Sequence, residues 1–300
     1  MTWLFAPGFF ASSPVHVALV VGGISALVCG IVGTFTVLRG QSYSGHALAD
    51  LSVTGGSASF LANISPLVGF AGTGVLAAGV MDMISNRQPR GRDLATGIVR
   101  GAGLGLAALF LYWDASSSST TGATITILFG SMFTVGDDAV PLVAAFGLPA
   151  LAVVAVLYRP LLLSSVSPEL AAARGVRTRL AGLACLLAIA LAVSLAAITV
   201  GAILATALLV GPAAIALRLA STPGRATLAA AAIAVAATWL GIVLAYDSFT
   251  WPPTHDGWPV SFFIVVLIFV AFVAAQAIRP GRTLRARGTT PGSPADGMRA

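Results

Sequence analysis

The sequence predicts an all-α fold, a polytopic membrane helix bundle of eight or nine transmembrane helices, and three observations lead to this prediction. Hydrophobic residues make up 57% of the 300 residues and charged residues only 9%, a balance that water-soluble domains do not have. Apolar runs of the roughly 20 residues needed to cross a bilayer follow one another along most of the chain. Arginines are concentrated in alternate connections between these runs, as in the cytoplasmic loops of membrane proteins.

Eight stretches have the length and apolar character of membrane spans. They are residues 15–38, 66–85, 94–113, 139–158, 180–197, 198–218, 226–246 and 259–278. A ninth stretch, 46–62, is polar on one side and rich in small residues, which favours a span that packs closely among other helices and is shielded from lipid. Residues 126–135 are too short for an ordinary span and predict a re-entrant or interfacial helix.

The arginines predict the direction of the spans. All positive charge in this chain outside histidine comes from arginine, because the sequence contains no lysine. Placing the arginine-bearing connections in the cytoplasm leaves four external segments without any arginine: 1–14, 63–65, 114–122 and 247–258. Under the positive-inside rule, the N-terminus is then outside and the C-terminus inside. Arg100, near the cytoplasmic end of its span, is expected to extend its guanidinium towards the interface.

These spans divide the chain into three parts. Residues 1–14 form an external N-terminal segment, residues 15–278 the transmembrane domain, and residues 279–300 a cytoplasmic tail whose Pro, Gly and Arg content is typical of disorder. The net charge of +6 is explained by cytoplasmic loops and gives no reason to expect nucleic acid. The sequence therefore predicts a multi-pass protein of the cell membrane, in contact with the lipid bilayer.

Two ionisable residues lie within the ninth, weaker stretch, in G-H-A-L-A-D at 45–50. On a helix, His46 and Asp50 project from the same face, one turn apart. Ionisable side chains within a span usually face a water-filled path or the bundle interior, and a carboxylate with an imidazole suits a divalent cation in transit. We expect the pair to line a passage for such a cation. The alternative is an ion pair or hydrogen bond between helices that only holds the bundle together.

The external segment before the last span is rich in possible metal ligands, with Asp247, His255 and Asp256 in D-S-F-T-W-P-P-T-H-D. These residues could guide a cation from a partner protein into the path, and Asp247 is the best candidate of the three because it ends a span. The alternative for all three is that they are solvated loop residues.

The arginine-containing connection at 164–176 predicts a short cytoplasmic helix. Ser167 and Pro168 occupy helix-opening positions, good helix formers follow, and Gly175 ends the run. Such a helix can dock into the groove of a partner protein, and the alternative is an amphipathic linker. Without lysine, the chain cannot form the phosphate-binding loop G-x-x-x-x-G-K-[ST]. If ATP drives this protein, another subunit supplies the ATPase site.

Three stretches carry a resemblance to a known family. They are L-R-G-Q-S-Y-S-G-H-A-L-A-D at 38–50, Y-R-P-L-L-L-S-S-V-S-P-E-L-A-A-A-R-G-V at 158–176 and V-G-A-I-L-A-T-A-L-L-V-G-P-A-A-I-A-L-R-L at 200–219. In this order they resemble the permease subunit of ABC transporters for manganese, zinc or iron chelates. The family commonly has Asp at the position of His46 and His at the position of Asp50, so this chain has the pair exchanged.

The resemblance implies a non-enzymatic transport subunit that imports a divalent metal cation. It implies two permease copies, a separate P-loop ATPase and an extracytoplasmic metal-binding protein that delivers the cargo. No cofactor is expected to stay bound, since the metal is cargo and the ATP is used by the partner. Pro168, Glu169, Arg174 and Gly175 would form the element that couples to the ATPase. Two alternatives stay open: a metal chelate or other small solute as cargo, and a secondary transporter that needs no ATP.

Overall fold

The computed structural model describes residues 9, 12–87, 92–118, 122–130, 132–251 and 257–277. The predicted tail at 279–300 and most of the predicted external segment at 1–14 lie outside these residues. Across the described ranges the regular structure is helical, which confirms the all-α prediction. The helices are α1 (Ser13–Leu38), α2 (Ser42–Leu61), α3 (Pro66–Arg87), α4 (Arg92–Ser118), α5 (Gly122–Phe129), α6 (Ala139–Val156), α7 (Tyr158–Val166), α8 (Pro168–Ala173), α9 (Thr178–Thr199), α10 (Ala205–Leu219), α11 (Pro223–Ser248) and α12 (Val260–Ala277).

Seven helices in the described part of the chain are long and apolar enough to cross a membrane: α1, α3, α4, α6, α9, α11 and α12. Two further helices correspond to predicted spans but do not meet both criteria. Helix α10 is apolar but has only 15 residues. Helix α2 has 20 residues, but its histidine, aspartate and serines make it the least apolar of the predicted spans.

Helices α1 and α9 form the centre of the bundle. Most of their apolar length is buried inside the protein, 61% for α1 and 67% for α9, compared with 17% for α4. Helix α1 packs against α6, α9, α10 and α11, while α2 lies to one side between α3, α4 and α9. This arrangement encloses α2 among other helices, as its small residues predict.

Glycine allows the backbones of neighbouring helices to touch. A Cβ atom added at Gly33 of α1 would lie 1.8 Å from the carbonyl oxygen of Leu209 in α10. One added at Gly55 of α2 would lie 2.2 Å from the carbonyl oxygen of Gly69 in α3. Each distance is far below an ordinary contact, so no side chain fits at either crossing. The position of α2 against α3 therefore depends on glycine.

The connection between α9 and α10 differs from the two adjoining spans predicted at 180–197 and 198–218. Gly201 has φ +89°, a left-handed conformation that ends the helix, and α10 begins only at Ala205. The backbone amide of Ala202 donates a hydrogen bond of 3.0 Å to the carbonyl of Ile127 at the end of α5. Helix α5 has eight residues, about 12 Å in length, and it ends at Phe129, whereas the sequence predicted a short helix at 126–135.

Candidate functional site

One face of α2 remains open, and it is the polar face. Between Tyr43 and Ser59, the residues that are not buried are Tyr43, His46, Asp50, Thr54 and Ala58, and every residue between them is buried. Their spacing of three or four residues places them on a single stripe of the helix, which we call the α2 stripe. Because the polar heads of His46 and Asp50 are costly to expose to hydrocarbon, such a stripe is expected to face a path or another protein surface.

Arg100 of α4 lies over the two ionisable residues of the α2 stripe. Its Nε donates a hydrogen bond to Oδ2 of Asp50, and its Nη2 is 2.9 Å from Nε2 of His46. The His46 Nε2 and Asp50 Oδ2 atoms are themselves 3.8 Å apart. All three side chains keep some exposure: 42% for His46, 14% for Asp50 and 30% for Arg100. The site is thus a guanidinium, a carboxylate and an imidazole joined at a partly open surface.

The position of Arg100 corrects the expectation that its side chain would extend to the membrane interface. The guanidinium instead pairs with Asp50, across helices and 50 residues away in sequence. The signal in the sequence was the location of this arginine inside the predicted span 94–113 rather than in a loop. An arginine within a span is expected to have an anionic partner, and Asp50 is the carboxylate that it contacts.

Small residues on α4 bring Arg100 to α2. The hydroxyl of Thr54 donates a hydrogen bond of 2.8 Å to the carbonyl oxygen of Gly103, and a Cβ atom at Gly103 would lie 2.5 Å from a methyl group of Leu51. Nearly two turns nearer the start of α4, a Cβ atom at Gly97 would lie 3.6 Å from the hydroxyl of Tyr43. The two helices therefore run close together at the edge of the α2 stripe between Tyr43 and Thr54.

The site offers two of the atoms that a divalent cation would use. If Arg100 donates to His46, Nε2 of the imidazole is the acceptor and the ring proton is on Nδ1. The lone pair on Nε2 and the carboxylate of Asp50 are both suitable metal ligands. Among the described residues, no group of three or more His, Cys, Asp or Glu side chains could hold a metal ion. Two ligands give weak binding, as expected for a site from which a cargo must be released.

Asp247 lies at the opposite end of the bundle from His46 and Asp50. It is in the last turn of α11, with 4% exposure, next to Tyr246, whose ring packs on Phe9 just before α1. His46 instead follows the end of α1, and the 26 residues of that helix separate its two ends by about 39 Å. The three residues therefore do not share one metal ion in this structure. His255 and Asp256 lie outside the described residues.

The connection predicted as a coupling element forms two short helices, α7 and α8. The side chain of Ser167 accepts a hydrogen bond of 3.2 Å from the amide of Leu170, which is the predicted cap at the start of α8. Gly175 has φ +77° and ends the helix, as predicted. The four residues predicted to meet a partner, Pro168, Glu169, Arg174 and Gly175, are all exposed.

A polar cavity of about 330 Å³ connects the α7–α8 segment to the start of α2. Its lining includes Arg39, Gln41, Tyr43, Ser164 and Pro168. Arg39 donates a hydrogen bond of 2.6 Å to the hydroxyl of Ser164. This bond joins the turn between α1 and α2 to α7, so the exposed α7–α8 segment is linked to the turn that leads into the helix with the polar stripe.

Comparison with known proteins gives consistent matches over nearly the whole chain. Residues 13–278 match the model of the ABC 3 transport family. The chain is 31% identical over 230 residues to the manganese import system permease protein ScaB of Streptococcus parasanguinis, covering 77% of this chain and 81% of that protein. It is 24% identical over 206 residues to the high-affinity zinc uptake system membrane protein ZnuB of Haemophilus influenzae, covering 69% and 78%.

The fold also matches a solved structure, PsaBC from Streptococcus pneumoniae in complex with Fab. The TM-score is 0.79 with 25% sequence identity, over 93% of this chain and 97% of the matched chain. An inward-facing metal-chelate type ABC transporter shares the fold, with a TM-score of 0.65 and 16% identity over 86% and 85% of the two chains. The family match includes all three motifs at 38–50, 158–176 and 200–219.

Proposed function

Because the chain belongs to the ABC 3 transport family, we propose that it is the membrane-spanning permease subunit of an ABC transporter that imports a divalent metal cation. The family match over residues 13–278 confirms the resemblance seen in the three sequence motifs. The matched proteins include permeases of manganese import and zinc uptake systems, which supports manganese or zinc as the cargo. The seven apolar helices make the chain a multi-pass membrane protein.

The proposed topology has nine spans, obtained by adding α2 and α10 to the seven apolar helices. With an odd number of crossings the two termini lie on opposite sides of the membrane, and the proposed direction has the N-terminal segment 1–14 outside, the permease domain at 15–278 and the tail 279–300 in the cytoplasm. The arginines support this direction, because Arg39 and the α7–α8 segment then lie on the cytoplasmic side. Helix α2 tolerates its polar residues because α3, α4 and α9 enclose the rest of its surface.

The α2 stripe is the observation that carries the proposal. A lipid-facing helix surface is apolar, yet the open face of α2 contains Tyr43, His46, Asp50 and Thr54. A path for a cation between water and the bundle explains both the polarity of this stripe and its exposure. Asp50 lies eight residues into α2, about 12 Å from its cytoplasmic start, so the pair would contact the cargo in the cytoplasmic half of the path.

A second copy of the chain is proposed to close the path on its open side. Helix α4, which borders the α2 stripe, is the least buried of the seven apolar helices. A Cβ atom added at Gly101 or Gly105 of α4 would meet nothing within 4 Å, so this surface has room for another helix. Two permease copies facing each other would convert two open stripes into one enclosed passage.

The remaining partners are assigned to the two ends of the bundle. At the cytoplasmic end, Pro168, Glu169, Arg174 and Gly175 on the exposed α7–α8 segment would meet a separate P-loop ATPase, since this chain contains no lysine for such a site. At the external end, a metal-binding protein would deliver the cation, with Asp247 near the entrance. The chain itself holds no permanent cofactor in this scheme.

Uptake of radioactive manganese and zinc into proteoliposomes tests this function. The permease would be reconstituted with its ATPase and binding protein, and His46→Ala and Asp50→Ala are each expected to reduce initial uptake at least tenfold. Asp82→Asn is the matched control, because this carboxylate pairs with Arg179 away from the α2 stripe. Normal uptake in both site variants would show that His46 and Asp50 are not part of the transport path.

The same assay separates the alternatives. Uptake that requires a chelator would indicate a metal chelate as cargo. Uptake that persists without ATP and collapses with the ion gradient would indicate a secondary transporter.

A further inference from the structure

Arg100 occupies the two atoms that the proposed function assigns to the cargo. One guanidinium contacts both Oδ2 of Asp50 and Nε2 of His46. Arginine can do this because its planar group carries several N–H donors in a fixed fork, whereas lysine is a single point of charge. While this contact is present, the guanidinium covers one side of both ligand atoms, and a metal ion cannot bind either atom from that side.

Helices α2 and α4 also make contacts that do not involve Arg100. The hydrogen bond from Thr54 to the Gly103 carbonyl and the close fit of Leu51 against Gly103 both join these helices. The packing of α2 on α4 therefore does not rest on Arg100 alone.

The surroundings of Arg100 do not fully enclose its side chain. The side chain keeps 30% exposure while it pairs with Asp50. The guanidinium can therefore turn away from Asp50 and His46 through rotamer changes of its own.

We propose that Arg100 is a tethered counter-cation of the transport path. It pairs with Asp50 and His46 when no metal is present and turns aside when the metal arrives, so that the two cations compete for one pair of ligands. This inference rests on the proposed function and adds the element that sets the affinity of the site. The competition keeps metal binding weak and returns the site to a neutral state after the metal has left.

The expected change in metal affinity follows from the fraction of time for which Asp50 and His46 are not paired with Arg100. Apparent affinity falls in proportion to the binding-competent population. If the guanidinium occupies the ligands for about nine-tenths of the time, its removal tightens binding about tenfold. The same change slows release, so the KM for uptake is expected to fall together with the maximal rate.

Direct Mn²⁺ binding to the purified permease–ATPase complex in nanodiscs tests this proposal. We expect Arg100→Gln to bind Mn²⁺ at least tenfold more tightly than the unmodified protein, and Arg100→Lys to bind at least threefold more tightly. Arg179→Gln, which removes the arginine of a different interhelical ion pair, is the matched control and should not change the affinity. If Arg100→Gln does not fold, the lysine variant decides the question alone. Unchanged or weaker binding in the correctly folded variants would overturn the proposal.

Chemical rescue with free guanidinium distinguishes the counter-cation role from a purely structural role of Arg100, because only the first predicts a change in Mn²⁺ binding. In Arg100→Ala, millimolar guanidinium is expected to re-enter the space beside Asp50 and weaken Mn²⁺ binding towards the original value. The same concentration should not affect binding by the unmodified protein. An absence of competition in Arg100→Ala would contradict the counter-cation role.

Two further variants distinguish failure of this inference from failure of the proposed function. If His46→Ala and Asp50→Asn lose Mn²⁺ binding while the Arg100 variants bind as before, the path stands and the counter-cation role is wrong. If His46→Ala and Asp50→Asn also bind as before, the metal path through the α2 stripe is itself wrong, and the inference falls with it.

Discussion

The crossing of α2 and α3 at Gly55 gives a prediction whose magnitude follows from the structure. Replacing Gly55 by Ala adds a methyl group 2.2 Å from the carbonyl oxygen of Gly69 and 2.3 Å from the hydroxyl of Thr73. An ordinary contact needs at least about 3.4 Å, so the helices must separate by roughly 1 Å. Overpacking against a rigid backbone costs about 3 kcal/mol, the upper end of the usual range. At about 2–4 °C per kcal/mol for a protein of this size, we expect the unfolding midpoint to fall by about 6–12 °C.

The matched control is Gly72→Ala on α3, which makes the same chemical change where a Cβ atom would meet nothing within 4 Å. Its better helix propensity predicts no loss, or a small gain of under about 1 kcal/mol. Thermal unfolding would be followed for both variants by size-exclusion chromatography of the detergent-solubilised protein after heating. Equal midpoints for the two variants would show that the close contact between α2 and α3 is not rigid, and would refute the argument.

Two further predictions concern the cytoplasmic surface. The double substitution Glu169→Ala with Arg174→Ala is expected to abolish metal-stimulated ATP hydrolysis and uptake, while membrane insertion stays normal, because both side chains are exposed on the segment proposed to meet the ATPase; full stimulation would disprove the coupling role. Ser164→Ala removes the acceptor of the 2.6 Å hydrogen bond from Arg39, so we expect ATP hydrolysis to continue while uptake per ATP falls severalfold. Ser165→Ala serves as its control, because this neighbouring serine donates its hydrogen bond to the carbonyl of Leu161. Equal ratios in the two variants would contradict the link between α7 and the turn before α2.

The apolar spans and the capped start of α8 could be predicted from sequence because local physics determines them. Long apolar runs have few alternatives to crossing the bilayer, and Ser167 and Gly175 act on the residues next to them in the chain. The enclosure of the polar helix α2 was also predictable, since its small residues allow close packing and its polar residues disfavour lipid. The short α10 was less predictable, because the glycine conformation at Gly201 depends on contacts with α5.

The arrangement of the site was only half predictable. The pairing of His46 with Asp50 follows from a spacing of four residues on one helix. The third member, Arg100, comes from another helix 50 residues later, and only the close approach of α4 through Gly97 and Gly103 brings it there. Asp247 could also be proposed as a candidate ligand from sequence. Its position at the opposite end of the bundle from His46 and Asp50 could not be predicted, because it depends on how α11 packs against α1.

The pairing of Arg100 with Asp50 has a consequence for how the chain is inserted as it is synthesised. Helix α4 is the least apolar of the seven candidate spans, and Arg100, in the first third of this helix, adds at most about 2.5–3.5 kcal/mol, the value for a helix centre, to the cost of entering the bilayer alone. Its anionic partner precedes it by 50 residues, so α2 leaves the ribosome first. The carboxylate is then already in place when the guanidinium arrives, and the order of translation itself helps the weakest of these helices to enter the membrane.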